Sequence, residues 1–252
     1  MPHPFVMVAP TGARRGKADH PALPVTLPEI LNAAVACHAA GADGFHLHIR
    51  DDAGVHSLDA GRYRETLEAL AQVVPDLAVQ VTTEAAGIFD VADQLSCLSQ
   101  LRPAWASISV REVARDPDLA ARVYATCADA GTRVQHIAYD AADLALLHDW
   151  QARDIVRPDQ TDVICVLGRY SEAQLSSPSD LDPFLTSLTR LDGAMACAFG
   201  PQEHICLAAA ASHGFDLRVG FENSLTDAQG LLHPDNAASV AALIAYLKRN
   251  TA

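Results

Sequence analysis

The sequence predicts a single-domain (β/α)8 barrel spanning residues 1–252. Three observations favour this fold class. Short apolar, β-branched segments alternate with longer amphipathic segments along the chain, a pattern typical of strand–helix units on a parallel sheet. Eight units of each kind are found, and 252 residues is a usual length for such a barrel. No linker rich in Pro, Gly or Ser divides the chain.

The predicted strands and helices follow one another in order. The strands are Phe5–Ala9, Gly44–Ile49, Leu77–Thr82, Trp105–Val110, Arg133–Tyr139, Asp162–Val166, Gly193–Ala198 and Asp216–Phe221. The helices are Pro28–Ala40, Ala60–Val74, Val91–Leu101, Pro117–Ala130, Ala141–Arg153, Leu181–Leu191, Gln202–Ser212 and Asn236–Lys248. Asp59 and Asp116 can cap the second and fourth helices, and Pro117 occupies a first helical position. Gly41 and Gly131 follow the first and fourth helices, where a left-handed backbone is favoured.

A doubly wound open sheet is the alternative fold. It normally carries a glycine-rich phosphate loop after its first strand. The segment found there, TGARRGK at residues 11–17, is not GxGxxG. It also fails to match the P-loop, whose two glycines need four residues between them. The barrel is therefore favoured.

Composition limits the partners and the compartment. Lys+Arg 18 and Asp+Glu 31 give a net charge of −13, so we expect no nucleic-acid and no membrane partner. There is no apolar run of the ~20 residues that a membrane span needs, and no signal-peptide pattern. The six cysteines form no CxxC pair, which indicates reduced, buried thiols. A cytoplasmic protein that acts on small molecules is expected.

The segment GADGFHLHIRD contains the most informative residues, His46 and His48. Side chains two apart in a strand project to the same side, so these imidazoles can share one metal ion. Glu222, in RVGFENSL, can supply a carboxylate. A His2Glu set is common for catalytic zinc, although non-haem iron(II) uses the same ligand types. We predict one Zn²⁺ per chain.

Further polar residues lie at the predicted strand ends, where barrels of this kind build their active sites. They are Arg50, Thr82, Thr83, Ser107, Ser109, Arg218 and Asn223. Arg218 precedes Glu222 by four residues, so in a strand the two share a face. A guanidinium suits a substrate carboxylate, which it can bind in bidentate fashion. We expect Thr82 and Arg50 to contact the substrate.

His136 suggests a second kind of metal site. If this histidine of the fifth predicted strand faced the barrel mouth, an amidohydrolase-like site would be possible. Such a site also needs ligands that typically include a histidine in the sixth strand. The sixth segment, DVICVLG at residues 162–168, has no histidine. This alternative is disfavoured.

Six segments carry a resemblance along nearly the whole chain. They are TGAR, PVTLPEI, GADGFHLHIRDDAG, VTTEAAG, ASISV and RVGFENSL. Together they resemble the beta-keto acid cleavage enzymes, the group that includes 3-keto-5-aminohexanoate cleavage enzyme. The resemblance implies a (β/α)8 barrel with zinc held by His46, His48 and Glu222. It also implies that a beta-keto acid and acetyl-CoA are converted to acetoacetate and a new acyl-CoA through a retro-Claisen step.

The resemblance further implies residue roles. Thr83 and Ser107 match residues that steady the developing charge, and Ser109 matches a substrate-pocket hydroxyl. Arg218 matches the arginine that assists deprotonation beside a family aspartate, and here that aspartate is Asn223. An amide cannot accept the proton. The fifth strand also lacks the family's acidic residue, and VLGRYSEAQ lacks the glycine-rich continuation.

Two alternatives remain open because of these departures. One is a metal-dependent aldolase-type lyase or hydrolase that does not use CoA. The other is a non-catalytic barrel that binds a small carboxylate. In each case the resemblance implies a homo-oligomer, a tetramer or a dimer.

Overall fold

The computed structural model describes residues 3–188 and 193–250. Its strands are β1 (Val6–Val8), β2 (Gly44–Leu47), β3 (Ile49–Arg50), β4 (His56–Ser57), β5 (Ala78–Thr82), β6 (Trp105–Ser109), β7 (Arg133–Ala138), β8 (Asp162–Leu167), β9 (Ala194–Ala198) and β10 (Asp216–Val219). Its α-helices are α1 (Leu27–Ala39), α2 (Ala60–Val73), α3 (Val91–Leu101), α4 (Val110–Val113), α5 (Pro117–Ala130), α6 (Ala141–Ala152), α7 (Asp182–Ser187), α8 (Glu203–Ser212) and α9 (Asn236–Asn250).

Eight of these strands close into a parallel barrel. Their order around the barrel is β1, β10, β9, β8, β7, β6, β5 and β2, and each pairs in parallel with its neighbours. The remaining strands, β3 and β4, form a short antiparallel pair. The (β/α)8 barrel predicted from the sequence is confirmed.

Side chains of each strand alternate between two apolar regions. In β1, Val6 and Val8 pack in the larger core between strands and helices, whereas Met7 belongs to a second cluster with Ile164 and Met195. This alternation follows from the two-residue period of a strand. The barrel interior is therefore filled with side chains, as in other barrels of this size.

The predicted helix signals are confirmed. Asp59 accepts a hydrogen bond from the Arg62 backbone N–H at 2.7 Å, and Asp116 accepts one from Leu119 at 3.1 Å. Gly131 ends α5 with φ of +70°, in the left-handed region that glycine adopts easily. All six cysteines are buried and free, as predicted.

Two predicted elements differ from the structure. The second strand is interrupted at His48, which lies between β2 and β3. The helix predicted at Leu181–Leu191 is a 3-10 turn at Pro178–Leu181 followed by α7, and Leu188 is already extended. Positions 189–191 lie outside the described residues. Within the described ranges, no helix is long and apolar enough to cross a bilayer.

Candidate metal centre and active site

The three predicted metal ligands meet at one end of the barrel. His46 lies in β2, His48 follows β2, and Glu222 follows β10. Strands β2 and β10 both pair with β1 in parallel, one on each side, so their carboxyl ends lie at the same end of the barrel. Residues far apart in the sequence are thereby brought to one site.

The turn after β10 sets the position of Glu222. Gly220 has φ of +137°, and a Cβ there would lie 2.6 Å from the Ala9 carbonyl oxygen. The backbone N–H of Glu222 donates to that same oxygen at 3.0 Å. Gly12 is also restricted, because a Cβ would lie 2.7 Å from Glu222 Cγ. Glycine at both positions lets the loop after β1 pack directly against the carboxylate.

Three ligand atoms form a compact triangle. His46 Nε2 and His48 Nε2 are 3.2 Å apart, and they lie 3.6 and 3.4 Å from Glu222 Oε2. A tetrahedral zinc ion with bonds of about 2.05 Å separates its ligands by about 3.3 Å. Both Glu222 Oε2 and His48 Nδ1 are buried without a hydrogen-bond partner among the described residues. The triangle therefore fits a divalent metal ion.

His46 is held in the tautomer that binds a metal, and both histidines are neutral. Gln80 Oε1 accepts a hydrogen bond from His46 Nδ1 at 2.8 Å, so His46 Nε2 keeps its lone pair. Burial lowers the pKa of His46 to about 4, and the Arg218 cation acts in the same direction. Burial likewise holds the pKa of His48 well below its ordinary value. Both imidazoles are neutral at pH 7, as coordination requires.

Arg218 neutralises part of the charge at this site. Its Nη2 lies 3.2 Å from Glu222 Oε1 and 3.4 Å from Cys197 Sγ. Burial opposes the cation, yet the Cys197 sulfur and the Glu222 carboxylate raise the pKa of Arg218 above its ordinary value. Burial also opposes ionisation of Glu222, but the Arg218 cation holds its pKa well below the ordinary value. The pair is ionised.

A cavity of about 260 Å³ opens beside the triangle. Five of the residues predicted from the sequence line it: His46, Thr82, Ser109, Arg218 and Glu222. The Ser109 hydroxyl is buried and has no partner among the described residues. The cavity therefore combines the ligand triangle with a cation and an unused hydroxyl.

Besides His48, four predicted site residues lie outside the cavity lining. The Thr83 hydroxyl donates to the Ser107 carbonyl at 3.0 Å, and the Ser107 hydroxyl is buried without a partner among the described residues. Arg50 donates to the carbonyls of Gly12 and Arg15, so it ties down the loop after β1. Asn223 is fully buried and donates to Glu203 Oε1 at 3.0 Å.

His136 faces away from the site. Its ring lies beside Tyr124 of α5, and its Nε2 donates to the Gln160 carbonyl at 3.1 Å. The neighbouring Gln135 points inward instead, where its amide reaches Met195 Sδ at 3.6 Å. His136 therefore contributes nothing to the triangle, and this geometry gives no support to the amidohydrolase alternative.

Several residues at the site were not identified from the sequence, and four of them bear most directly on its charge and geometry. Glu84, Arg15 and Arg169 line the cavity, and Gln80 orients His46. Gln80 did have a signal, because it is the polar residue in the middle of the strand AVQVT and pairs with His46 across the β2–β5 ladder. The other three lie in loops, where no periodicity indicates a direction.

Fold and site together define a (β/α)8 barrel with a His-His-Glu triangle at the carboxyl ends of its strands. Among the described residues, these three are the His, Cys, Asp or Glu side chains that lie close enough together to share a metal ion. The sequence profile of the beta-keto acid cleavage enzymes matches residues 4–251. The chain belongs to the beta-keto acid cleavage enzyme family.

Similar proteins have related names. The chain is 26% identical over 274 residues to 3,5-dioxohexanoate:acetyl-CoA acetone transferase of Paraburkholderia graminis, covering 94% of this chain and 87% of that protein. It is 37% identical over 82 residues to 3-keto-5-aminohexanoate cleavage enzyme of Fusobacterium nucleatum, covering 32% of this chain and 30% of that protein. The structure of apo ObcA is similar in fold, with a TM-score of 0.71 and 16% identity over 92% of this chain and 63% of that one. The chain thus spans less than two thirds of ObcA, and its match to the Fusobacterium enzyme is about a third of that enzyme's length.

Proposed function

We propose that this chain is a zinc-dependent beta-keto acid cleavage enzyme that uses acetyl-CoA as co-substrate. The reaction converts a beta-keto acid and acetyl-CoA into acetoacetate and the acyl-CoA of the remaining chain. The observation that carries this proposal is the triangle of His46, His48 and Glu222 at the mouth of a barrel of this family. When bound there, the metal supplies a Lewis acid that polarises the keto carbonyl.

The residues of the chain then have distinct tasks. Arg218 supplies a fixed positive charge that stabilises the enolate formed when the carbon between the two carbonyl groups loses a proton. Ser109 lines the cavity and has a hydroxyl free to bond a substrate oxygen. Ser107 presents a second unused hydroxyl, and Thr83 holds the Ser107 backbone through a 3.0 Å hydrogen bond. Thr82 lines the cavity as well.

Arg50 and Asn223 act from behind the cavity. Arg50 fixes the loop after β1 through two backbone carbonyls, and this loop supplies Arg14 and Arg15 to the cavity wall. Asn223 donates to the Arg218 carbonyl at 3.2 Å and to Glu203. Asn223 therefore supports the backbone of the catalytic arginine without exchanging a proton with the substrate.

Product analysis tests the proposal. Zinc-replete protein is incubated with acetyl-CoA and a panel of beta-keto acids whose chains end in methyl, amino or carboxylate groups. We expect acetoacetate and the matching acyl-CoA in equal amounts for at least one acid, and no product from His46→Ala. Cleavage without acetyl-CoA would instead support the CoA-independent lyase, and binding without turnover would support a carboxylate-binding barrel.

We propose that the protein is a cytoplasmic homo-oligomer, either a dimer or a tetramer. The support is the family resemblance and the net charge of −13, which disfavours anionic surfaces. Light scattering after size-exclusion chromatography gives the mass directly. A mass of one chain, 26.8 kDa, would contradict the oligomer.

A further inference from the structure

The proposed reaction needs a group that accepts a proton. Arg218 is a cation paired with Glu222, and Glu222 is a metal ligand. Asn223 carries an amide, which has no basic oxygen or nitrogen at neutral pH. Among the described residues that line the cavity, two carboxylates remain, Asp19 and Glu84.

Glu84 is held firmly at the end of β5. Its backbone N–H donates to Thr82 Oγ1 at 3.0 Å, and its carbonyl accepts a hydrogen bond from His56 Nε2 at 2.9 Å. The His56 ring in turn lies 5.1 Å from the His48 ring, between centroids. The backbone of Glu84 is therefore fixed relative to the metal centre, as a catalytic group requires.

The Glu84 side chain faces the cavity. It is 18% exposed and lines the same cavity as His46, Ser109 and Arg218. Its ion-pair partner among the described residues is Arg14, whose Nη1 lies 3.5 Å from Glu84 Oε1 and whose side chain is 52% exposed. A pair this long and this open to solvent contributes little free energy. The carboxylate is thus free to take another partner.

Electrostatics also suit Glu84 for proton transfer near neutral pH. Burial raises the pKa of Glu84 to about 7, the carboxylates of Glu222 and Glu112 act in the same direction, and Arg14 opposes them. A general base works best when its pKa lies near the working pH. Asp19 differs, because it lies in the loop after β1 and its carboxylate accepts a hydrogen bond from the Gly16 N–H.

We propose that Glu84 is the general base of this enzyme, an inference that rests on the proposed function. A C–H bond of the carbon between the two carbonyl groups breaks, and the proton moves to a Glu84 carboxylate oxygen. The bonding electrons move toward the keto oxygen and give the enolate. Glu84 returns the proton to acetoacetate at the end of the reaction, so no other reactant is consumed.

Hydrogen exchange isolates this step from the CoA chemistry. Acetoacetate is the proposed product whatever the keto acid, so its exchange at the carbon between the carbonyls can be followed by NMR in D2O. We expect zinc-replete enzyme to exchange it faster than buffer alone. Glu84→Gln should lower the enzyme-dependent rate by about 10² to 10⁴, the usual contribution of a general base. Glu84→Asp, which keeps a carboxylate, should retain more exchange than Glu84→Gln.

The matched control is Glu65→Gln, which changes an exposed glutamate of α2 far from the cavity and should exchange at the parent rate. Exchange by Glu84→Gln at the parent rate, while the parent still makes acyl-CoA, would overturn the role of Glu84 alone. A parent that neither exchanges acetoacetate nor makes acyl-CoA would overturn the proposed function as well. Equal zinc content and circular dichroism in all variants exclude misfolding.

A titration gives a readout that is independent of turnover. In metal-free protein carrying ¹³C-labelled glutamate carboxylates, the signal lost in Glu84→Gln belongs to Glu84. We expect its midpoint near pH 7, and Arg14→Gln should move the midpoint upward because a neighbouring cation is removed. A midpoint in the ordinary range of a glutamate would contradict the proposal.

Discussion

Gln80 Oε1 lies 2.8 Å from His46 Nδ1 and fixes which nitrogen of His46 faces the metal triangle. The Gln80 amide is itself oriented, because its Nε2 donates to Gln135 Oε1 at 3.1 Å. Gln135 continues the chain to Met195 Sδ. A line of buried amides across the barrel interior therefore presets the tautomer of one ligand before any metal binds.

Removing this acceptor should weaken metal binding. Gln80→Leu leaves His46 Nδ1 without a partner, so the ring loses its fixed orientation and tautomer. We expect zinc affinity to fall by about 10 to 100-fold, the usual effect of losing the partner of a ligand histidine. Competition with a chromogenic chelator measures the affinity. Gln80→Glu, which keeps an oxygen acceptor, should bind zinc more tightly than Gln80→Leu, and equal affinities would contradict the argument.

Much of this site was predictable because strands impose a period of two. His46, and the barrel strands that present the site, follow from alternation and from the rule that barrel sites form at carboxyl ends. Gln80 could have been predicted in the same way, from its position in the middle of β5.

The rest of the site depended on backbone turns that sequence patterns do not specify. Gly220 adopts φ of +137°, so the chain turns there and the Asn223 side chain points to Glu203 instead of the cavity. Arg50 reaches the loop after β1 because the chain leaves the barrel at His48 and pairs with β4. Glu84 lies beyond the end of β5, where no alternation of polar and apolar residues indicates the direction of a side chain. Tertiary contacts, and not local preference, decided these three positions.

Loss of the Arg218 charge should slow turnover far more than it weakens substrate binding. The guanidinium lies 3.2 Å from Glu222 Oε1, and in the proposed reaction it stabilises a negative charge that appears only during turnover. We expect Arg218→Met to lower kcat by about 10² or more, and Arg218→Lys to retain part of the activity. Steady-state kinetics on zinc-loaded protein checks this. An unchanged kcat with a raised KM would show that Arg218 only binds substrate.

Asn223 and Glu203 should behave as a coupled pair. Asn223 Nδ2 donates to Glu203 Oε1 at 3.0 Å, so Asn223→Asp would place two acids together in a buried site. We expect this change to cost about 1–3 kcal/mol of unfolding free energy. Adding Glu203→Gln restores one amide and one acid, and should recover most of the loss. Urea unfolding of the four proteins measures the coupling, and additive effects would contradict it.

Glu203 should also make stability depend on pH. Burial raises the pKa of Glu203 to about 8, although hydrogen bonds from Asn223 and the Gly220 N–H oppose the rise. The folded state therefore holds a proton that the unfolded chain releases at its ordinary glutamate pKa. The stabilisation that comes from the protonated Glu203 side chain is therefore present at low pH and is lost as the pH rises toward 8.

Glu203→Gln should remove that dependence. We expect the difference in thermal midpoint, Glu203→Gln minus parent, to increase from pH 5.5 to pH 8. The increase should be equivalent to no more than about 3 kcal/mol. Differential scanning fluorimetry at the two pH values is sufficient. Glu65→Gln, at an exposed position of α2, provides the control and should show no such trend. The opposite trend would mean that Glu203 is ionised in the folded protein.

Metal content tests the central claim most directly. Purified parent protein, His46→Ala, Glu222→Ala and the control His204→Gln are loaded with zinc, passed through a desalting column and measured by elemental analysis. The His-His-Glu triangle predicts about one equivalent of zinc in the parent and in His204→Gln, and almost none in His46→Ala or Glu222→Ala. A parent that cannot be loaded, or a Glu222→Ala protein that keeps its full equivalent, would contradict the metal centre.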